Sequence, residues 1–274
     1  MNAALRLAFY PLPLRVLFLR LLLRTMGWLR YSTRLEFDAV HRPHYGFSMY
    51  NAAVLAKALG HRKISVIEFG VAGGNGLVNI ERHAAEITAE LGVEFEIYGF
   101  DMGSGLPKPL DYRDMPYMWA EGFYKMDRTL LESRLSKAKL VIGNVAETAG
   151  GFFAGYKPAP LGCVLFDLDY YSSTAQAFAL FNAGPDTRLP RVYCYFDDIA
   201  SSGLRATNVH VGVLRAIEEF NEGGRDRKIA KINGLSVSRK IPASWHEHIF
   251  VLHDFKHPRY NEFIGNTHQS LPLE

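Results

Sequence analysis

At 274 residues the chain fits one α/β domain with extensions or two small domains, and with 48% hydrophobic and 22% charged residues it can bury a sizeable core, which argues against disorder. A formal net charge of +3 is too small to argue for a nucleic-acid partner. Both cysteines, Cys163 and Cys194, sit inside apolar runs. They read as small core residues in a reducing, cytoplasmic compartment, not as a disulfide or metal ligands.

Residues 1–34 alternate apolar stretches with Arg6, Arg15, Arg20, Arg24 and Arg30, and the longest uncharged run is eight residues. A spanning helix needs about 20 apolar residues, so this stretch does not cross a bilayer. Pro11 and Pro13 also spoil it as a signal peptide. Arg15, Arg20, Arg24 and Arg30 are expected to share one half of a helical wheel, with Val16, Leu19, Leu22, Leu23, Met26 and Trp28 largely opposite. Such a helix lies on an anionic membrane surface, or packs on the domain or on a second subunit with its arginines in water.

Ser48 to Gly60 reads as a helix, with Ser48 as its N-cap and Gly60 at its end. Ile64 to Gly70 is a buried strand that opens into a glycine-rich turn, Val71 to Gly76, and a long helix follows over Leu77 to Leu91. Strand, glycine turn and helix form the first unit of a doubly wound nucleotide-binding fold. Glu94 to Phe100 is the second strand and ends in Asp101. An acid at that place commonly takes the ribose hydroxyls of a bound nucleoside.

The next 27 residues, 102–128, hold Pro107, Pro109 and Pro116 together with Tyr112, Tyr117, Trp119, Phe123 and Tyr124. Insertions of this length without regular structure are usually lids or binding loops. A helix is expected over Leu130 to Ala138 and a third strand over Lys139 to Asn144. Further helices fall at Thr174 to Phe181 and Val211 to Asn221. The tail offers strands near 229–237 and 248–255, unless Asn233-Gly234 is a hairpin turn that splits the first.

Between these elements lie two short apolar runs that end in acids. Cys163 to Phe166 leads into Asp167-Leu168-Asp169, and Arg191 to Phe196 leads into Asp197-Asp198. Apolar runs of this length suit strands buried on both faces of a parallel sheet. As parallel neighbours, they would crowd four carboxylates on one rim about 4.8 Å apart. No Lys or Arg falls between Val164 and Thr174 or between Val192 and Gly203. Carboxylates so close disfavour the fold unless a cation sits among them, which points to a metal-assisted active site. Solvated loop acids and helix caps are the plainer alternative.

The order of parts resembles the class I S-adenosylmethionine (SAM) dependent methyltransferases. Glu68-Phe-Gly-Val-Ala-Gly-Gly74 is similar to their first motif. Tyr98-Gly-Phe-Asp101 with Gly105-Leu-Pro107, Gly143 to Thr148, Asp167 to Thr174 and Phe196 to Ile199 resemble segments of the macrocin O-methyltransferase family, which methylates sugar hydroxyls. The resemblance covers about residues 45–255. It implies a doubly wound, mostly parallel seven-stranded sheet of Rossmann-like kind; together with the elements above, residues 45–274 are expected to form that domain and residues 1–44 a helical N-terminal extension whose first 34 residues lie outside the resemblance. Glu68, Gly70 and Gly74 would line the methionine end of SAM and Asp101 its ribose. Asn144, where many relatives carry Asp, would lie near the adenine. Asp167, Asp197 and Asp198 would bind a divalent ion, expected to be Mg2+, and Asp169 would be the general base. The acceptor would be a small molecule with a sugar or glycan-like hydroxyl, and a homo-oligomer is compatible with the sequence.

That chemistry also suits the residues themselves. Methyl transfer to an alcohol is an in-line displacement that needs alignment and removal of one proton. Oxygen-only ligands suit magnesium or calcium rather than zinc. A competing oxidoreductase reading needs the NAD fingerprint G-x-G-x-x-G, but Gly74-Asn75-Gly76 is followed by Leu77-Val78-Asn79. A membrane-associated binding protein that kept the fold and lost turnover is the other competing reading.

Overall fold

The computed structural model describes residues 14–200 and 203–265; Arg6, Pro11 and Pro13 lie outside the described residues. Seven strands form one sheet: β1 (Lys63–Phe69), β2 (Glu94–Asp101), β3 (Lys139–Ile142), β4 (Leu161–Phe166), β5 (Arg188–Phe196), β6 (Arg227–Lys231) and β7 (Ile249–Asp254). Their order is β3-β2-β1-β4-β5-β7-β6, and β7 runs antiparallel to both its neighbours while the other pairs are parallel. Every residue of β4 is buried, which is why it reads as an unbroken apolar run, and every residue of β1 after Lys63 is buried too, Ser65 and Glu68 included.

The helices are α1 (Leu14–Thr25), α2 (Tyr31–Glu36), α3 (Pro43–Ala58), α4 (Asn75–Leu91), α5 (Arg128–Arg134), α6 (Val145–Thr148), α7 (Phe152–Tyr156), α8 (Tyr171–Ala177), α9 (Gly212–Gly223) and α10 (Leu235–Ser238). Side chains of α3 and α4 share one core with Val66 and Leu165 on one face of the sheet. Residues of α7, α8 and α9 share another with Phe69, Phe166 and Phe196. The fold is therefore doubly wound. Chain order reverses between β1 and β4, and in such sheets the crevice forms outside the carboxyl ends of the strands at that switch point.

One row of side chains sets the rim of that crevice. Phe100, Phe69, Phe166 and Phe196 are paired in register across β2, β1, β4 and β5. Their rings lie 4.7, 5.4 and 4.6 Å apart in sequence across the sheet. Each is followed by a residue singled out in the sequence: Asp101, Gly70, Asp167 and Asp197. Because the phenylalanines point into one core, the following residues of all four strands emerge at one level.

Three local expectations change. The helix expected from Ser48 begins at Pro43, where proline suits a first helical position, and Ser48 Oγ instead donates to the His44 carbonyl at 3.0 Å. The tail strand expected over 229–237 stops at Lys231, and Gly234 (φ +76°) opens α10 rather than a two-residue hairpin. The wheel expected for α1 also fails. Arg20 Nε donates to the Asp38 carbonyl at 2.7 Å and Leu23 is buried, while Phe18, Leu19, Leu21, Leu22 and Trp28 face solvent. At about 100° per residue, Leu23 lies about 60° around the helix from Arg20, and Phe18 about 160° from it. No described helix is long and apolar enough to cross a membrane.

Candidate active site at the carboxyl ends of the strands

A cavity of about 350 Å³ opens above the phenylalanine row. Its floor and walls come from Gly70 and Ala72 after β1, Asp101 at the end of β2, Asn144 after β3, Asp167 and Asp169 after β4, and Asp197 and Asp198 after β5. Leu106, Trp119 and Tyr124 of the segment 102–128, with Arg205, close the other side.

The glycine turn is shaped by its neighbours. Asp167 N–H donates to the Phe69 carbonyl at 2.9 Å, so β1 and β4 stay joined beyond the sheet. A Cβ on Gly70 (φ +83°) would fall 1.8 Å from the Asp167 carbonyl oxygen, which leaves room for glycine alone. Asp101 is held by two amides: Ala72 N–H donates to Oδ2 at 2.8 Å and Gly103 N–H to Oδ1 at 2.6 Å. Asn144 Oδ1 accepts from Ala146 N–H at 3.0 Å and caps α6.

Glu68 and Gly74 are not among the residues that line the cavity. A Cβ on Gly74 would meet Leu131 Cδ1 of α5 at 2.0 Å, so this glycine serves close packing. The Glu68 carboxyl is buried under Gly76 and accepts from the Tyr45 hydroxyl at 2.8 Å, while its Oε2 has no partner. Burial pushes it up to about 8, against the pull of the Tyr45 bond, with the Asp167 charge adding to the rise.

Asp167, Asp197 and Asp198 converge: one carboxylate oxygen from each lies within 4.8 Å of the others. The first two follow the paired Phe166 and Phe196, and Asp198 sits in the 3-10 turn that ends β5. The Tyr195 hydroxyl donates to Asp197 Oδ1. That ring is stacked between His44, at 4.6 Å, and His248, at 5.8 Å. His248 donates from Nδ1 to the Phe196 carbonyl at 2.7 Å, which holds the same strand end. Burial raises the Asp167 carboxyl to about 7, with Asp197 and Asp198 adding to the shift. Asp198 and Asp169 are also raised, chiefly by burial and then by neighbouring carboxylates.

Two cations missing from the local sequence relieve this crowding. Arg205 Nη1 donates to Asp198 Oδ1 at 2.7 Å, and its guanidinium lies 4.8 Å from the Trp119 ring centre. Arg42, at the left-handed N-cap of α3 (φ +44°), lowers the Asp167 carboxyl through its charge. Neither was marked by the sequence, since one precedes α3 and the other follows the rim by a loop. Three oxygen donors within 4.8 Å match the width of a hard cation's coordination shell, about 4–5 Å across.

The segment 102–128 is fastened at its middle. Asp114, fully buried, accepts from Leu110 N–H, Ser172 N–H and Ser172 Oγ, each at 2.8 Å. A carboxylate at the first turn of α8 also suits the positive end of that helix. Next to it Arg113 ion-pairs with Asp111 at 2.7 Å and lies 4.0 Å from the Tyr171 ring centre. Trp119 therefore rests on a tethered base, together with Met115 and Tyr170.

No protein-family model and no curated protein sequence matches this chain. Among solved structures it is similar to the calicheamicin methyltransferase CalS11, with a TM-score of 0.50 and 16% identity over 91% of this chain and 89% of that one. It is likewise similar to the O-methyltransferase NovP, with a TM-score of 0.50 and 10% identity over 88% of this chain and 98% of that one. Sheet order, switch-point cavity and these likenesses agree: the chain has the class I methyltransferase fold.

Proposed function

We propose that this protein is a cytoplasmic SAM-dependent O-methyltransferase that uses a divalent cation, magnesium by preference, to methylate a hydroxyl of a sugar or glycan-like small molecule. The observation that carries this reading is the convergence of Asp167, Asp197 and Asp198 in the lining of a cavity that Gly70, Ala72 and Asp101 also line. The cavity volume falls within the range of small-molecule sites, roughly 300–1,000 Å³. Two structures of the same fold are named as methyltransferases, which supports the reaction class.

When bound, SAM supplies an electrophilic methyl group on a sulfonium, and the cation lowers the pKa of a coordinated hydroxyl. The chain supplies the rest. Asp101, fixed by two amides, takes the ribose hydroxyls, and Asn144 stands on the adenine side. Asp167, Asp197 and Asp198 hold the cation, with Asp197 oriented by Tyr195. Asp169 is buried at the cavity wall and receives the acceptor's proton. Trp119 and Tyr124 offer flat apolar walls on which a sugar ring can lie, and they narrow the access of water.

Calorimetric titration with SAM and with NAD, each with and without magnesium, tests the reading. SAM is expected to bind and NAD to give no heat. Binding of NAD instead of SAM would overturn it, and a SAM-turnover screen over nucleotide sugars and glycans then identifies the acceptor.

A further inference from the structure

The structure assigns α1 and the turn after it to an interfacial anchor that lies on an anionic membrane surface. This goes beyond methyl transfer and does not depend on it.

Phe18, Leu21 and Leu22 stand three and four residues apart on one face of α1, and Trp28 follows at its end. They are 69, 61, 40 and 80% exposed, against a chain whose other large apolar side chains are mostly buried. The opposite side of the helix is committed to the protein. Arg20 Nε donates to the Asp38 carbonyl and Leu23 is buried, so the apolar stripe cannot turn inward without losing both contacts. Arg20 lies about 200° around the helix from Phe18.

Charge decides what covers the stripe. Residues 1–35 contain six arginines and no acid. Arg24 and Arg30 are exposed as well, Arg24 about 60° around the helix from Leu21. A symmetric contact with a second copy would set this acid-free arginine segment against itself. A layer of anionic phosphates matches both features, taking the apolar side chains at the acyl boundary and the arginines at the headgroups. Tryptophan at the helix end suits the same level. Twelve residues span only about 18 Å as a helix, so the segment lies on the layer and does not cross it. The anchor is tied near the catalytic rim: Asp38 is four residues from Arg42, a reach of at most about 14 Å.

Flotation of the full chain with vesicles of pure phosphatidylglycerol or pure phosphatidylcholine tests this. Wild type is expected to float with phosphatidylglycerol and far less with phosphatidylcholine. Phe18→Ser/Leu22→Ser should weaken binding by about 10-fold or more, and Arg24→Gln/Arg30→Gln by about 5-fold per arginine. All four positions are solvent-facing, so both variants should keep the wild-type thermal transition. No flotation of wild type, or equal flotation of wild type and the serine variant, overturns the proposal. So does a wild-type dimer that the serine variant converts to monomer without any vesicle binding, which would make the stripe a subunit interface.

Discussion

Arg205 donates to Asp198 at 2.7 Å, so one of the three converging carboxylates is already neutralised by the protein itself. With 23% of the arginine side chain and 6% of the aspartate exposed, the pair is partly shielded from water. A divalent ion entering the cluster must compete with this guanidinium. Arg205→Ala is therefore expected to bind magnesium about 5-fold more tightly, the worth of about 1 kcal/mol of lost competition. Magnesium should also raise its melting temperature more than that of wild type. Weaker magnesium binding in the variant would show that Arg205 supports the site instead of competing for it.

Asp169 and the three converging aspartates are expected to fail differently. Asp169→Asn keeps the shape and removes the proton acceptor. Turnover should drop by roughly 10²–10⁴ while SAM and magnesium still bind. Loss of Asp167, Asp197 or Asp198 should lower magnesium affinity, and excess magnesium should restore part of the activity. Rescue of Asp169→Asn by excess magnesium would make Asp169 a ligand.

Asp101→Ala should weaken SAM binding by roughly 1.5–3 kcal/mol, the worth of hydrogen bonds to a charged group. Part of that loss reflects the freed amides of Ala72 and Gly103, which Asp101 now holds. Calorimetry of Asp101→Ala and Asp101→Asn reads the effect. Unchanged affinity in both would remove Asp101 from the cofactor site.

Glu68 links stability to pH. Its carboxyl titrates near 8 in the fold, against an ordinary value of 4.5. Between those values the folded chain keeps a proton that the unfolded chain has lost, so this group's stabilisation is complete below 4.5 and fades as pH rises to about 8. Glu68→Gln keeps an acceptor for Tyr45 and has no such dependence. Relative to wild type it should gain up to about 1.4 kcal/mol per pH unit across that window. Urea unfolding of both proteins at pH 5 and pH 8 measures the difference. Parallel pH profiles would mean that Glu68 is ionised in the fold.

Asp114→Ala should cost about 2–3 kcal/mol of stability, since three donors from Leu110 and Ser172 lose a buried charged acceptor. It should also raise protease cutting within 102–128 before global unfolding. A variant as stable and as resistant as wild type would show that Asp114 does not hold the segment in place.

The sequence by itself determined the strands and the acids at their ends. Runs such as Leu161 to Phe166 are apolar throughout because both faces are covered, and a short apolar run that stops at a carboxylate is a local pattern. The glycine turn, Asp101 and the four rim aspartates were legible as local patterns too, whereas Asn144 was marked only by the family resemblance. Folding decided what stands opposite them. Arg42 acts on the Asp167 charge from 125 residues earlier in the chain, and Arg205 returns to Asp198 over a loop, so neither leaves a mark beside the acid it acts on. Glu68 and Gly74 share a motif with Gly70, yet they pack against Gly76 and Leu131 and do not line the cavity as Gly70 does. The outward face of α1 was likewise settled by one bond from Arg20 to the Asp38 carbonyl. Periodicity fixes which residues share a face of an element, but the direction of that face depends on partners far along the chain, and only the assembled sheet and helices supply them.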